Sequence, residues 1–200
     1  MSGHRASPGV PPANISCIVL TGFMGAGKTT VGELLAARLG WRFVDTDRVV
    51  EERAGITVGE IFERDGEPAF RKMEAAAIRE TAVGERLVLA LGGGALERAD
   101  TREFLAKLPG CRVIFLDAPR EILLARCSEH ASGPVRPVLR DRQRLEERWQ
   151  ARLPWYRQAH VTIETAERTP QAVAECVLAA LAQDADRSAG ASTIARGVPA

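Results

Sequence analysis

Apolar runs of strand length alternate along this chain with stretches of helical period. Residues 15–20, 42–45, 86–91, 111–117 and 161–164 read as strands. Between the first two, Val31, Leu34, Leu35 and Leu39 mark one helical face, and Gly40 ends it. Thr57 and Glu60 have capping-box spacing ahead of a helix that carries Ile61 and Phe62. Thr169-Pro170 opens a last helix through Val173, Val177, Leu178 and Leu181. Strands that alternate with helices predict an α/β domain of three layers, a parallel sheet covered on both faces. No internal repeat or interior linker interrupts the pattern.

Composition narrows the class. Two hundred residues with 46% hydrophobic content suit one domain with a sizeable core. A net charge of +1 gives no reason to expect nucleic acid or a membrane surface as partner, and the longest apolar runs, about six residues, are far too short to span a bilayer. Residues 1–14, polar and Pro-rich with no apolar segment of signal-peptide length, are expected to be a disordered arm; residues 185–200 are expected to be a disordered tail, leaving 15–184 as the domain. Cys17, Cys111, Cys127 and Cys176 form no CxxC pair and are expected to be buried thiols of a reducing cytosol, while His4, His130 and His160 are too scattered for a metal cluster. A cytoplasmic monomer is the expectation.

The stretch "GFMGAGKTT", residues 22–30, sits between a predicted strand and a predicted helix and fits G-x-x-x-x-G-K-[ST]. Glycines let such a turn aim several backbone N–H groups at one anion, and the helix adds its positive N-terminal end. Gly25, Ala26, Gly27, Lys28, Thr29 and Thr30 are therefore assigned to a nucleoside triphosphate. Lys28 reaches the β- and γ-phosphates, and the Thr29 hydroxyl ligates Mg²⁺.

Many such proteins place an acid at the end of a second central strand. Here "RLVLALGGG" ends in Gly92, Gly93 and Gly94, which let another molecule approach the backbone. The acid then comes from "FVDTD": in extended chain Asp45 and Asp47 point to one side. Asp45 is assigned to the Mg²⁺ shell and Asp47 to an acceptor hydroxyl, which it orients or deprotonates. Between residues 120 and 152, eight arginines against five acids leave a local charge of +3. Residues 126–141 read as a mobile lid, with Arg136 the candidate for a γ-phosphate contact. Arg142, Arg144 and Arg148 are expected to pair with Glu146, Glu147 and their neighbours.

Taken in order, "GFMGAGKTT", "FVDTD", "DGEPAFRKME", "LALGGG", "RPVL" and "RLPWYRQAH" resemble the shikimate kinase family over about residues 15–181. The resemblance implies transfer of the ATP γ-phosphoryl group to the 3-hydroxyl of shikimate, within aromatic amino-acid biosynthesis. It also implies a five-stranded sheet in the order 2-3-1-4-5. Carried over residue by residue, Asp47 would hold the shikimate hydroxyls, and Arg71 and Arg152 would clamp its carboxylate. Gly93 and Gly94 would offer N–H groups, Glu67 and Phe70 would shape the pocket, and Arg136 would be the lid arginine. No basic residue stands at the family's usual adenine-stacking place, for which Arg126 is the candidate. Gluconate kinase and nucleoside monophosphate kinases share the loop and lid. A nucleotide-dependent switch is the reading from another class, opposed by the lack of an acid or glutamine for water activation on the strand that ends in glycine.

Overall fold

The structure, a computed structural model, describes residues 12–84, 86–129 and 142–194. Five parallel strands form one sheet in the order β2-β3-β1-β4-β5, with β1 Cys17–Thr21, β2 Arg42–Asp45, β3 Leu87–Ala90, β4 Cys111–Asp117 and β5 Val161–Glu164. The order follows from composition. β3 (LVLA) is wholly apolar and β1 (CIVLT) apolar up to its last residue, and both are buried throughout, as strands covered on both faces must be. β2 (RFVD) and β5 (VTIE) carry polar residues and lie at the two edges. Three strands keep their expected bounds; β1 starts two residues late because Ile15 N–H turns back to the Pro12 carbonyl at 2.9 Å.

The helices are α1 Lys28–Leu39, α2 Thr46–Ala54, α3 Val58–Thr81, α4 Ala99–Lys107, α5 Arg120–Glu129, α6 Arg142–Tyr156 and α7 Pro170–Ile194. Right-handed crossovers put α1 on one face of a sheet with this order, and the helices that follow β2, β3 and β4 on the other. α7 packs against α1, while α3, α4 and α6 gather round a 3-10 turn, Ala95–Glu97, just beyond β3. Gly40, at φ 64°, closes α1 in the left-handed conformation. The Thr57–Glu60 capping box forms in full at the start of α3. That helix is broken at Gly66 (φ 80°, ψ 165°), so Glu67 opens a second helical segment. α7 continues to Ile194, so residues 185–194 are helical where a disordered tail is expected; "ADRSAGASTI" contains no proline to stop a helix. Among the described residues no helix is long and apolar enough to cross a membrane.

Two hydrophobic clusters result. The larger surrounds β1, β3 and β4 and includes Ile18, Leu20, Leu35, Leu89, Ile114 and Val177. A smaller one joins α2 to α3 through Val50, Ile61, Phe70 and Ala77. Leu89 is fully buried in the central strand. Leu89→Ala should therefore cost about 2–5 kcal/mol in urea unfolding, and Thr57→Ala only about 1 kcal/mol as a lost cap. Equal losses would contradict this division between core and cap.

Candidate active site

The turn between β1 and α1 lies against α5. A Cβ added at Gly25 (φ 77°) would stand 2.4 Å from the Leu123 carbonyl oxygen and 3.0 Å from Cys127 Sγ, so only glycine fits. Gly27, the N-cap of α1, offers no side chain to the amides of the first helical turn. Lys28 Nζ donates to the carbonyls of Gly22 and Phe23 at 2.9 and 3.0 Å. Burial holds its ammonium below the usual lysine range, and the carboxylates of Asp47 and Asp45 oppose that shift.

Asp45 and Asp47 do not form the extended pair that the sequence predicts. β2 ends at Asp45, which caps α2: its Oδ1 accepts the Asp47 N–H at 3.0 Å. Asp47 is therefore in the first helical turn, and the two carboxylates diverge. Asp45 Oδ2 accepts the Thr29 hydroxyl at 2.7 Å, joining β2 to the turn. Asp47 Oδ1 turns toward the end of β3, where a Cβ on Gly92 would stand 2.5 Å away.

The three glycines after β3 face different partners. A Cβ at Gly92 would meet Glu74 Oε1 at 2.1 Å as well as Asp47, and one at Gly93 would lie 3.5 Å from Arg152 Nη1. One at Gly94 would lie 2.3 Å from Arg71 Nη2 and 2.7 Å from Glu97 Oε1. The Gly92 N–H donates to Thr46 Oγ1 at 3.0 Å, and the Tyr156 hydroxyl donates to the Gly93 carbonyl. Gly93 also comes close to the phosphate-type turn: its added Cβ would be 3.7 Å from the Gly22 carbonyl oxygen. Asp47, Arg71, Arg152 and Lys28, predicted from four separate stretches, thus surround one cleft at the carboxyl ends of the strands, where open α/β sheets bind ligands.

Carboxylates lock the arginines. Arg71 donates through Nη1 to Glu74 at 2.6 Å and through Nη2 to Glu67 at 2.9 Å. Arg152, 5% exposed, donates through Nε to Glu97 at 2.5 Å, with its Nη2 3.7 Å from Glu67. Burial alone would push the Glu67 carboxyl up, but Arg71, Arg148 and Arg152 hold it below the ordinary glutamate range. Phe70 lies beneath them, with the Arg71 guanidinium 5.0 Å from its ring centre.

Several participants carry no sequence-level role. Glu74 and Tyr156 stand within quoted motifs, and Glu74 is readable because i+3 spacing puts it on the Arg71 face of a helix. Glu97 gives no such signal. Arg148 reaches Glu67 of α3 at 3.2 Å across the cleft, and Glu146 pairs with Arg120 of α5, partners outside the α6 neighbours expected for them. Long side chains on α6 find an acid of α3 and an arginine of α5 because the packing of helices, not spacing, brings them within reach. Arg126 lies in α5 rather than in a lid. It donates to Thr165 Oγ1 at 3.0 Å and to the Thr165 and Ala166 carbonyls at 2.6 and 3.1 Å. Of the four cysteines, Cys17 and Cys111 are buried; Cys127 and Cys176 are half-buried. Arg136 and the rest of residues 130–141 lie outside the described residues.

Comparison with known proteins agrees with this geometry. Residues 24–182 match the family model described as shikimate kinase. The shikimate kinase of Caldanaerobacter subterraneus subsp. tengcongensis is 41% identical over 163 residues, covering 82% of this chain and 94% of that protein. The solved structure of shikimate kinase from Acinetobacter baumannii in complex with shikimate superposes with a TM-score of 0.77 at 38% identity, covering 85% of this chain and 94% of that one. A gluconokinase from Sinorhizobium meliloti 1021, at 23% identity and a TM-score of 0.59, shares the fold alone; it covers 90% of this chain and 98% of that one. With Lys28, Asp47, Arg71 and Arg152 gathered at one end of the sheet, the chain belongs to the shikimate kinase family.

Proposed function

We propose that this protein transfers the γ-phosphoryl group of ATP to the 3-hydroxyl of shikimate, with the residues of the cleft in the following roles. The observation that carries the reading is the fan of glycines after β3. It brings Asp47, Arg71 and Arg152 to one backbone segment beside Lys28.

Residues 25–30 hold the phosphates through backbone N–H groups and the Lys28 ammonium. Thr29 Oγ1 and Asp45 Oδ2, 2.7 Å apart, are the hard oxygen donors that would hold Mg²⁺, which would neutralise charge on the phosphates. The Thr165–Ala166 carbonyls fix the Arg126 guanidinium for the adenine. Arg71 and Arg152 take the shikimate carboxylate; with Arg152 Nε on Glu97, its Nη edge faces the substrate. The Gly93 and Gly94 N–H groups complete that seat, and Glu67 and Phe70 hold its wall.

Asp47 accepts the hydroxyl hydrogen bond and aims the oxygen at the γ-phosphorus. As the new P–O bond forms, the bond to the β-phosphate oxygen breaks and the hydroxyl proton passes to the Asp47 carboxylate. Arg136 covers the transferred group from the lid. A monomer working in the cytosol belongs to the same reading. Gluconate carries the same acid and alcohol groups on an open chain, whereas the fixed forks and aspartate suit a rigid ring.

ADP release from ATP and Mg²⁺ should require shikimate, with gluconate giving no comparable rate; the reverse preference would overturn the assignment. Asp47→Ala should lower kcat by about 10²–10⁴ while titration still shows ATP binding. Arg152→Lys should raise the shikimate KM about tenfold or more, because an ammonium provides no fork. An unchanged KM would move the carboxylate seat elsewhere.

A further inference from the structure

Glu74 sits at the centre of the substrate cluster with 1% of its surface exposed. Its Oε2 accepts from Arg71 at 2.6 Å, whereas its Oε1 has no hydrogen-bond partner among the described residues. Oε1 is aimed at the glycines: with Asp47 Oδ1 it flanks the point where a Gly92 Cβ would lie, at 2.1 and 2.5 Å. The charged groups that face it are Arg71 on its own helix, Asp47 from α2 and Arg152 from α6.

Acids outnumber bases in this cluster. Arg71, Arg148 and Arg152 meet Glu67, Glu97, Glu74 and Asp47, while Lys28 and Asp45 offset one another alongside. With every carboxyl ionised the described cluster is negative, and an anionic substrate adds one more charge of that sign. A nearby like charge favours the neutral form of a carboxyl. The incoming carboxylate also competes with Glu74 for Arg71.

We propose that Glu74 takes up a proton from solvent as the substrate carboxylate settles on Arg71 and Arg152, so that substrate and proton bind together. The inference rests on the reading of this cleft as a carboxylate seat. Burial already pushes the Glu74 carboxyl up to about 7, with Arg71 and Arg152 opposing and Asp47 adding to the rise. Glu67 is the poorer candidate, being more exposed and held ionised by three arginines. The neutral acid gains an O–H donor beside Asp47, so protonation replaces repulsion between two carboxylates with a hydrogen bond. Glu74 is in this sense a positioning residue, and the proton returns to solvent when the site empties.

The test is calorimetric titration of the full chain with shikimate, without nucleotide or Mg²⁺, in buffers of different ionisation enthalpy. At a pH of about 7.5, uptake on the order of half a proton or more per shikimate is expected. The Kd should rise as pH passes neutrality, by a factor approaching about ten per pH unit. Below neutrality Glu74 is already protonated and the Kd should level off. Glu74→Gln, isosteric with the protonated acid, should bind with the wild-type low-pH Kd at every pH and take up no proton, while Glu67→Gln should retain the uptake. Binding without proton exchange in the wild type, or uptake that persists in Glu74→Gln, overturns the proposal. If Glu74→Gln fails to fold, the wild-type proton count and pH slope decide. No binding heat at any pH, together with no turnover of shikimate, would instead overturn the carboxylate-seat reading itself.

Discussion

At the carboxyl end of β3 three residues in a row carry no side chain, and groups from four other segments fill the space this leaves. Asp47 comes from the first turn of α2, Glu74 and Arg71 from α3, Glu97 from the 3-10 turn, and Arg152 from α6. Any Cβ at Gly92 or Gly94 would overlap a carboxylate or a guanidinium, so the site depends first on steric vacancy and only then on charge. The parallel sheet supplies the rest. β1, β2 and β3 end at the same edge, which sets the glycine-rich turn after β1 beside Asp45 and both beside the glycines.

The arginines show how a cationic seat is kept in order inside a protein. Unpaired, guanidiniums as buried as Arg71 and Arg152 would be strongly destabilising, and their carboxylate partners offset that desolvation. The partners also fix each fork before substrate arrives, so little rotamer freedom remains to be lost on binding. The same arrangement accumulates acids, which is why a carboxyl as enclosed as Glu74 becomes the natural place for a proton.

Much of this was legible in the residues themselves. Apolar runs gave β2, β4 and β5 to the residue, and the Thr57–Glu60 spacing gave the start of α3, because both are local consequences of side-chain chemistry. The turn at 22–30 was readable because its glycines, lysine and threonine follow a fixed local spacing between a strand and a helix. The Asp45–Asp47 pair reads as extended chain, because alternation along a strand does not announce that Asp45 will cap a helix. The partners of Arg148 and Glu146 were missed because they depend on how α6 crosses α3 and α5. Glu97 was invisible for the same reason, as one acid in an ordinary-looking turn whose neighbour comes from 55 residues away.

The break at Gly66 and the second hydrophobic cluster have a joint mechanical consequence. Val50, Ile61, Phe70 and Ala77 pack among themselves, separately from the sheet's own core. Only α3 belongs to both bodies, through Phe70 and Ala77 on one side and Ile78 and Ala82 next to its end on the other. α2 and α3 thus share a small core of their own, tied to the sheet where β2 runs into α2 at Asp45 and where α3 ends. Loosening that second core at Val50 or Ile61 would disturb the walls that carry Asp47 and Arg71 while leaving the packing around the sheet in place.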